Sequence, residues 1–245
     1  MPPRFTADTV MHALRSAAVR YSSLKAGGRL KLVVKGRKQP GIRFRLKWKR
    51  ASDNLKIRMT GLGPFGVTVF DCLVTDTAVY LYIPSHDRVY AAGLRSRLAG
   101  SRDMDSIMYE VFLALNPWSA GFHPMAEVMN REDIDGEAGG RDPVMIEFPE
   151  NGYRARAVFD LPRLNPLSLE LSDLKVEYGN SRVLSEASSF PSVIRSALKR
   201  YQVEAEISFS RVEPGNPAPG GLDFSPEPFL KQEIQHLGVL MSHIR

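Results

Sequence analysis

Strict alternation of apolar and basic residues is the sequence feature that most constrains the fold of this chain. In the stretch GIRFRLKWKR, Gly41 to Arg50, four apolar side chains alternate with four cations. Successive side chains of a β-strand point to opposite faces, whereas a helix would spread the two classes around its axis. The stretch therefore predicts a strand with one apolar face and one cationic face.

The same period of two continues in the segments around this stretch. RLKLVVKG precedes it, and NLKIRMTGL, GVTVFDCLVT, AVYLYIPS and DRVYAA follow it after short turns. Short turns favour antiparallel pairing of neighbouring strands, so these six segments predict a meander. Five later segments also indicate strands: PVMIEF, YRARAVFDL, LSLELSDLKVEYG, SRVLSEASSF and QVEAEISFSRV.

Helical periodicity occurs near both ends and in the middle of the chain. It predicts a helix from Thr6 to Leu24, ended by Gly27-Gly28, and further helices at Met104 to Leu115 and at Ser119 to Arg131. After a turn-rich linker, apolar residues at 4-3-4-3 spacing predict an amphipathic helix. These residues are Leu230, Ile234, Leu237, Met241 and Ile244.

Together these elements predict a mainly β fold of the α+β class. We expect one curled antiparallel sheet that forms an unclosed β-barrel, with the helices packed in its concave side. Neither a tandem repeat nor a clear boundary divides the sequence. The prediction is therefore a single domain over residues 1–245, in which residues 213–245 are an appended linker and C-terminal amphipathic helix.

The apolar face of this sheet is the first candidate functional site. It must be covered, because a large exposed apolar surface leads to aggregation. We interpret it as the lining of a hydrophobic cavity. The candidate lining residues are Leu32, Val34, Ile42, Phe44, Leu46, Trp48, Leu55, Ile57, Met59, Phe70, Leu81 and Ile83.

The opposite face of the first three strands carries cations: Lys31, Lys35, Arg43, Arg45, Lys47, Lys49, Lys56 and Arg58. Residues 1–100 hold 19 Lys/Arg against 5 Asp/Glu, whereas the remainder holds 14 against 22. This face is a solvated surface protected from edge pairing, a contact for an anionic membrane, or a nucleic-acid site. Phe44 and Trp48 point away from the cations, which disfavours stacking on nucleic-acid bases.

The stretch TGLGPFGVTVFD, Thr60 to Asp71, contains the second candidate site. Its glycines and proline predict a tight loop between two strands, with Leu62 and Phe65 at the tip. Loop tips are normally polar. The apolar tip therefore either folds back onto the core or contacts a membrane or an apolar ligand.

No residue pattern indicates catalysis, a metal site or a cofactor. The five histidines are scattered, and the single cysteine, Cys72, cannot form an internal disulfide. Ser85, His86 and Asp87 are consecutive, whereas a catalytic triad needs side chains that converge from separate positions. No run of 18 apolar residues predicts a transmembrane helix. We expect a non-enzymatic protein.

Two longer stretches carry a family resemblance. GLGPFGVTVFDCLVTDTAVYLYIPSHDRVYAA and NGYRARAVFDLPRLNPLSLELSDLKVEYG, with ALNPW between them, resemble the LolA/LolB superfamily of lipoprotein carriers and receptors in Gram-negative envelopes. The resemblance spans roughly Ala7 to Val212. It implies an unclosed barrel with a helical lid, for which the helix starting near Met104 is the candidate, and a cavity that takes up acyl chains. For the outer-membrane receptor branch it also implies an exposed apolar residue in the Pro-x-Gly loop, and Phe65 occupies that position.

The resemblance implies a location in the periplasm or at the periplasmic face of the outer membrane. The first residues contain neither the apolar region of a signal peptide nor a cysteine able to carry a lipid. The sequence is therefore either cytosolic or a trimmed, mature form. The arginine that latches the lid in carriers has no assigned counterpart, and Arg43 is a candidate by position alone.

The expected function is non-enzymatic binding and transfer of acyl chains, without a cofactor. The expected partners are acyl chains of lipoproteins or phospholipids, a membrane surface and a carrier or receptor protein, with no nucleic acid. Carrier and receptor roles both fit the sequence. A structural envelope lipoprotein with a filled interior and a basic nucleic-acid-binding protein are the alternatives.

Overall fold

β-Strands dominate the computed structural model of the chain, and one α-helix lies near its N-terminus. The structure describes residues 6–21, 23–51, 54–75, 77–93, 114–122, 125–129, 142–150, 153–161, 163–185, 188–215, 226, 229 and 234–236. Within these residues, no helix is both long and apolar enough to cross a membrane.

The first half of the chain contains the helix and seven strands. They are α1 (Ala7–Arg20), β1 (Ser23–Val34), β2 (Arg37–Lys38), β3 (Ile42–Ala51), β4 (Asn54–Leu62), β5 (Thr68–Val74), β6 (Ala78–Ile83) and β7 (Arg88–Gly93). The second half contains β8 (Glu127–Met129), β9 (Asp142–Glu150), β10 (Tyr153–Leu161), β11 (Asn165–Leu171), β12 (Leu174–Ser185), β13 (Ser188–Leu198), β14 (Val203–Pro214) and β15 (Ile234–His236). Short 3₁₀ turns occupy Pro64–Gly66, Pro84–His86, Pro117–Phe122 and Lys199–Tyr201.

All of these strands belong to one sheet. The strand order is β15-β7-β6-β5-β4-β3-β1-β14-β13-β12-β11-β10-β9-β8, and β2 pairs with β1. Neighbouring strands are antiparallel, apart from the parallel pairing of β15 with β7. Among the described strands, the end strands β8 and β15 do not pair with each other, so the sheet is open. The predicted fold class, an antiparallel sheet that does not close into a barrel, is confirmed.

The chain forms two compact units. Unit 1 consists of Met1–Tyr21, Lys31–Pro40 and Glu110–Phe209, and unit 2 consists of Ser22–Leu30, Gly41–Tyr109 and Ser210–Arg245. The long strands β1 and β14 contribute residues to both units, so neither unit is one continuous segment of chain. A single domain over residues 1–245 stays a prediction.

Unit 1 is centred on an aromatic cluster. Tyr21, at the end of α1, stacks on Trp118 with a ring-centroid distance of 4.5 Å, and Phe190 packs against both rings. The polar atoms of the cluster are satisfied by backbone carbonyls. The Tyr21 hydroxyl donates to the Ser189 carbonyl at 2.5 Å, and the Trp118 indole N–H donates to the Leu164 carbonyl at 2.9 Å. The cluster therefore fixes the end of α1 against the strands of this unit.

The N-terminal helix is shorter than predicted. Thr6 caps it by accepting a hydrogen bond from the Thr9 N–H, as expected for an N-cap threonine. The helix ends at Arg20, and β1 begins at Ser23. Gly27-Gly28, predicted to end the helix, lies inside β1, because these residues pair with β3. Tertiary pairing outweighs the local helix-ending signal of the glycines.

Two further helices are predicted from the sequence in the middle of the chain. The helix predicted at Ser119 to Arg131 is wrong, because a 3₁₀ turn is followed there by β8, which pairs with β9. The candidate lid helix at Met104 to Leu115 falls outside the described residues, apart from Ala114 and Leu115, which are helical.

The predicted C-terminal amphipathic helix is wrong at Ile234–His236. These residues form β15, whose backbone pairs with the edge of β7. Leu230, Leu237, Met241 and Ile244, the other residues of the predicted apolar stripe, lie outside the described residues.

Candidate functional site

Strand register in unit 2 brings the predicted apolar residues onto one face of the sheet. Leu46 lies opposite Met59, Met59 lies opposite Cys72, and Cys72 lies opposite Leu81. Residues directly opposite in antiparallel strands point to the same side. Trp48, Ile57, Val74 and Val79 form a second, parallel row. This side is called the apolar face of unit 2.

Burial divides the apolar face into two parts. Predicted residues on β3 and the start of β4 are buried: Phe44, Leu46, Trp48 and Ile57. Further across the sheet Val79, Tyr90 and Ala92 are also buried, but five other residues are only half-buried, and they form what is called here the half-exposed patch. The half-exposed patch consists of Met59, Phe70, Cys72, Leu81 and Ile83.

Four predicted cavity residues lie elsewhere or are not described in full. Ile42 is half-buried at the start of β3, opposite Leu30. Leu32 and Val34 are half-buried residues of unit 1. The side chain of Leu55 lies outside the described part of the structure. One cavity lined by all twelve predicted residues therefore stays a prediction.

Gly61 leaves space for the ring of Phe70, which belongs to the half-exposed patch. Gly61 lies opposite Phe70, and a Cβ atom at Gly61 would lie 2.3 Å from Cε1 of the Phe70 ring. The ring therefore occupies the space that any side chain at position 61 would need. Sequence reasoning assigned this glycine to the loop and missed its role under the ring.

The apolar surroundings of the half-exposed patch change the chemistry of Cys72. Burial, and to a smaller extent the neighbouring Asp71 carboxylate, raise the pKa of its thiol from 9.0 to about 12. Only the thiolate is a good nucleophile. The thiol of Cys72 is therefore unreactive near neutral pH.

This pKa predicts slow alkylation of Cys72. At pH 8 the native thiolate fraction should be about a thousandfold lower than that of the denatured chain, because the pKa is raised by about three units. The rate of iodoacetamide labelling, followed by mass spectrometry, should rise tenfold per pH unit beyond pH 9 in the native protein. It should level off near pH 9 in guanidinium chloride. A native rate within tenfold of the denatured rate at pH 8 would contradict the prediction.

The loop between β4 and β5 holds its apolar tip away from the protein. Phe65 is fully exposed and adopts a left-handed backbone conformation, with φ 59° and ψ 15°. The loop is closed by a 2.8 Å hydrogen bond from the Gly63 N–H to the Val67 carbonyl, and Val67 is also exposed. The interpretation in which Phe65 folds back onto the core is therefore wrong. Leu62 is half-buried at the base of the loop.

The opposite side of unit 2, called the cationic face, places like charges directly opposite each other. Arg29 lies opposite Arg43, and Lys49 lies opposite Lys56. All four side chains are exposed. Arg43, the candidate latch, lies on this face and not on the apolar face.

Some predicted members of the cationic face have other surroundings. Lys31 belongs to unit 1, where it pairs with Glu206 at 2.8 Å. Hydrogen bonds from Lys31 and Arg195 lower the pKa of Glu206. Lys35 lies in the turn after β1, with φ 49°.

Arg58 and Asp71 form an ion pair on the cationic face. The guanidinium of Arg58 contacts the Asp71 carboxylate at 2.6 Å, and the Thr60 hydroxyl donates to the same carboxylate at 3.2 Å. Asp71 points away from the apolar face and is half-buried.

Phe229, near the C-terminus, packs on the cationic side of β5 to β7. Phe229 is 2% exposed and packs with Leu73 and Val89, against the half-buried rings of Tyr80 and Tyr82. The guanidinium carbon of Arg58 lies 5.6 Å from the centre of the Phe229 ring, within cation–π distance. Sequence reasoning missed this contact because it joins residues distant in the chain.

The Ser85–Asp87 stretch forms a structural turn. His86 Nδ1 and the Tyr90 hydroxyl are hydrogen-bonded at 2.9 Å, and Asp87 has a left-handed backbone, with φ 50°. Within the described residues, no group of three or more His, Cys, Asp or Glu side chains is arranged to hold a metal ion.

Comparison with solved structures identifies the fold. A domain from Vibrio parahaemolyticus assigned to outer membrane lipoprotein sorting aligns with a TM-score of 0.62 and 16% identity, over 89% of this chain and 97% of that chain. A DUF1329 family protein from Desulfovibrio piger aligns with a TM-score of 0.60 and 16% identity, over 89% and 96% of the two chains. A LolA superfamily protein from Nitrosomonas europaea aligns with a TM-score of 0.54 and 13% identity, over 87% and 96%.

These similarities show that the chain folds as an open antiparallel sheet like those of the aligned structures. More specifically, the chain has a LolA/LolB-like fold, as the sequence resemblance predicted. No family model and no curated protein matches the sequence.

Proposed function

We propose that this protein binds acyl chains of lipoproteins or lipids without covalent chemistry, on the apolar face of unit 2. The observation that carries the proposal is the half-exposed patch. Its five side chains are contiguous across β4, β5 and β6, while the neighbouring part of the same face is buried. An extended apolar surface of this kind is typical of sites for apolar ligands.

The strength of such binding follows from the area of hydrocarbon removed from water. Each buried methylene contributes about 0.8 kcal/mol. Eight methylenes on the half-exposed patch would contribute about 6 kcal/mol before the cost of ordering the chain. This range favours reversible binding, which a transfer protein requires.

The loop supplies the proposed route to a membrane. Leu62 and Phe65 are proposed as the membrane-contact residues, since Phe65 is fully exposed on a loop closed by its own backbone. A phenylalanine at this position would insert among lipid headgroups and bring the protein to the source or the destination of the acyl chain. The proposed location is the periplasm or the periplasmic face of the outer membrane. A carrier or receptor protein is the proposed partner.

Uptake of a fluorescent fatty acid tests the acyl-binding proposal. Leu46 and Ile57 are poor positions for the test, because they are 1% and 4% exposed and a carboxylate there would unfold the protein. Leu81→Glu places the charge in the half-exposed patch. It should weaken uptake about tenfold or more, since the contact of one leucine is lost and a charge faces the ligand.

Val183→Glu is the matched control, because it makes an apolar-to-acidic change at an exposed residue of unit 1. It should leave uptake unchanged. Bound fatty acid should also slow the labelling of Cys72, which locates the ligand. Undiminished uptake by folded Leu81→Glu would remove the half-exposed patch from the site. No uptake by the unmodified protein would favour a structural envelope lipoprotein.

A further inference from the structure

Two arginines that lie opposite each other are located at the base of the loop that carries Phe65. Arg29 lies opposite Arg43, and Arg43 lies opposite Leu62. The loop that carries Phe65 begins one residue after Leu62. The arginine pair and the loop therefore occupy the same end of β3 and β4. Arg45, two residues along β3, extends the charge on the same side.

The stability of the sheet does not explain why arginines occupy these positions. Like charges directly opposite in a sheet are destabilising. Charges that discourage sheet aggregation are useful on edge strands, whereas β1, β3 and β4 each have a neighbour on both sides. Among the described residues, no carboxylate forms an ion pair with Arg29, Arg43 or Arg45. An external anion would offset the repulsion between them.

We infer that Arg29, Arg43 and Arg45, together with Phe65 and Val67, form one docking surface for a bilayer that exposes anionic phospholipid headgroups. Apolar side chains enter the boundary between headgroups and acyl chains, and arginines beside them bind lipid phosphates. The inference deepens the proposed function and rests on its membrane contact. It adds that the bound bilayer is anionic and that the three arginines contact its headgroups.

Nucleic acid fits this surface less well. Proteins that bind single strands place aromatic rings among the cations for base stacking. Phe44 and Trp48, the aromatic residues of β3, are buried on the opposite face. The exposed Phe65 is at the loop tip and not between the cations.

The test compares two charge-removing double variants of the full chain. Arg29→Gln with Arg43→Gln removes the pair next to the loop. Lys49→Gln with Lys56→Gln is the matched control, since it also removes two exposed cations that lie opposite each other on the same face. The control pair lies six residues further along β3, which is about 20 Å.

Binding is measured by co-sedimentation with vesicles of phosphatidylethanolamine and phosphatidylglycerol, and with phosphatidylcholine vesicles. Each cation at an anionic surface strengthens binding about fivefold, so the arginine variant should bind the anionic vesicles about 30-fold more weakly. The lysine variant should lose less than about fivefold. Phe65→Glu should abolish binding, and phosphatidylcholine vesicles should bind the unmodified protein weakly.

Several results would overturn the inference. Equal losses of vesicle binding in the two double variants would show that binding depends on total charge and not on these arginines. Unchanged binding in the arginine variant would show that the arginines do not contact the bilayer. Failure of the unmodified protein to bind anionic vesicles, or tighter binding to single-stranded DNA at the same salt, would also overturn it. Fatty-acid uptake by the unmodified protein in vesicle-free solution is a separate readout. A lost docking effect with intact uptake therefore rejects this inference alone.

Discussion

Replacing Trp118 with alanine is expected to lower the free energy of unfolding by about 4 kcal/mol. The indole is 2% exposed and stacks on Tyr21 at 4.5 Å, so its removal leaves a large cavity between α1 and the strands of unit 1. The substitution also leaves the buried Leu164 carbonyl without its donor. Urea denaturation followed by circular dichroism measures the loss.

Trp118→Phe separates the two contributions. It keeps an aromatic ring against Tyr21 and removes only the indole hydrogen bond and part of the volume. The expected loss is about 1.5 kcal/mol. A loss below 1 kcal/mol for Trp118→Ala would show that the aromatic cluster does not hold unit 1 together.

Replacing Phe229 with alanine is expected to lower the free energy of unfolding by about 3 kcal/mol. Phe229 fills the space between Leu73 and Val89, and its ring contacts the guanidinium of Arg58. Its loss uncovers apolar surface on β5 and β7 and should release the C-terminal segment. Limited proteolysis should then cleave this segment faster, and urea denaturation gives the stability change.

Val19→Ala is the control for this substitution, because Val19 is an exposed apolar residue of α1. It should change stability by less than about 0.5 kcal/mol. Equal protease resistance in Phe229→Ala and the unmodified chain would show that Phe229 does not anchor the C-terminal segment.

The sheet could be predicted from the sequence because its signal is local. Alternation in β3 and β4 places Leu46 and Met59 on one side and Arg43 on the other, and the observed register agrees. Helix boundaries were less predictable. Gly27-Gly28 is a local signal for the end of a helix, but in the folded chain these glycines lie inside β1 and pair with β3. Ile234 is a second example. Its spacing from other apolar residues predicts a helix, but in the folded chain it belongs to a strand that pairs with the edge of β7.

The candidate site was predictable in part. Strand patterning identifies which side chains share the apolar face, but it carries no information on what covers them. Leu46 and Leu81 look equivalent in the sequence, yet one is buried and the other half-buried. Exposure of Phe65 was one of two sequence interpretations, and it depends on a left-handed backbone that only the folded loop defines.

The pairing of β15 with β7 has a consequence for how the chain is made. The ribosome completes β7 well before it reaches Ile234. At ordinary translation speeds, β7 waits on the order of 10 s for its parallel neighbour. During that interval its outer N–H and C=O groups offer a template to any other extended segment, including one from a nascent copy on the same messenger RNA. Pairing between unfinished copies is therefore expected to begin at β7, and faster synthesis of the residues up to Ile234 shortens the interval in which it can occur.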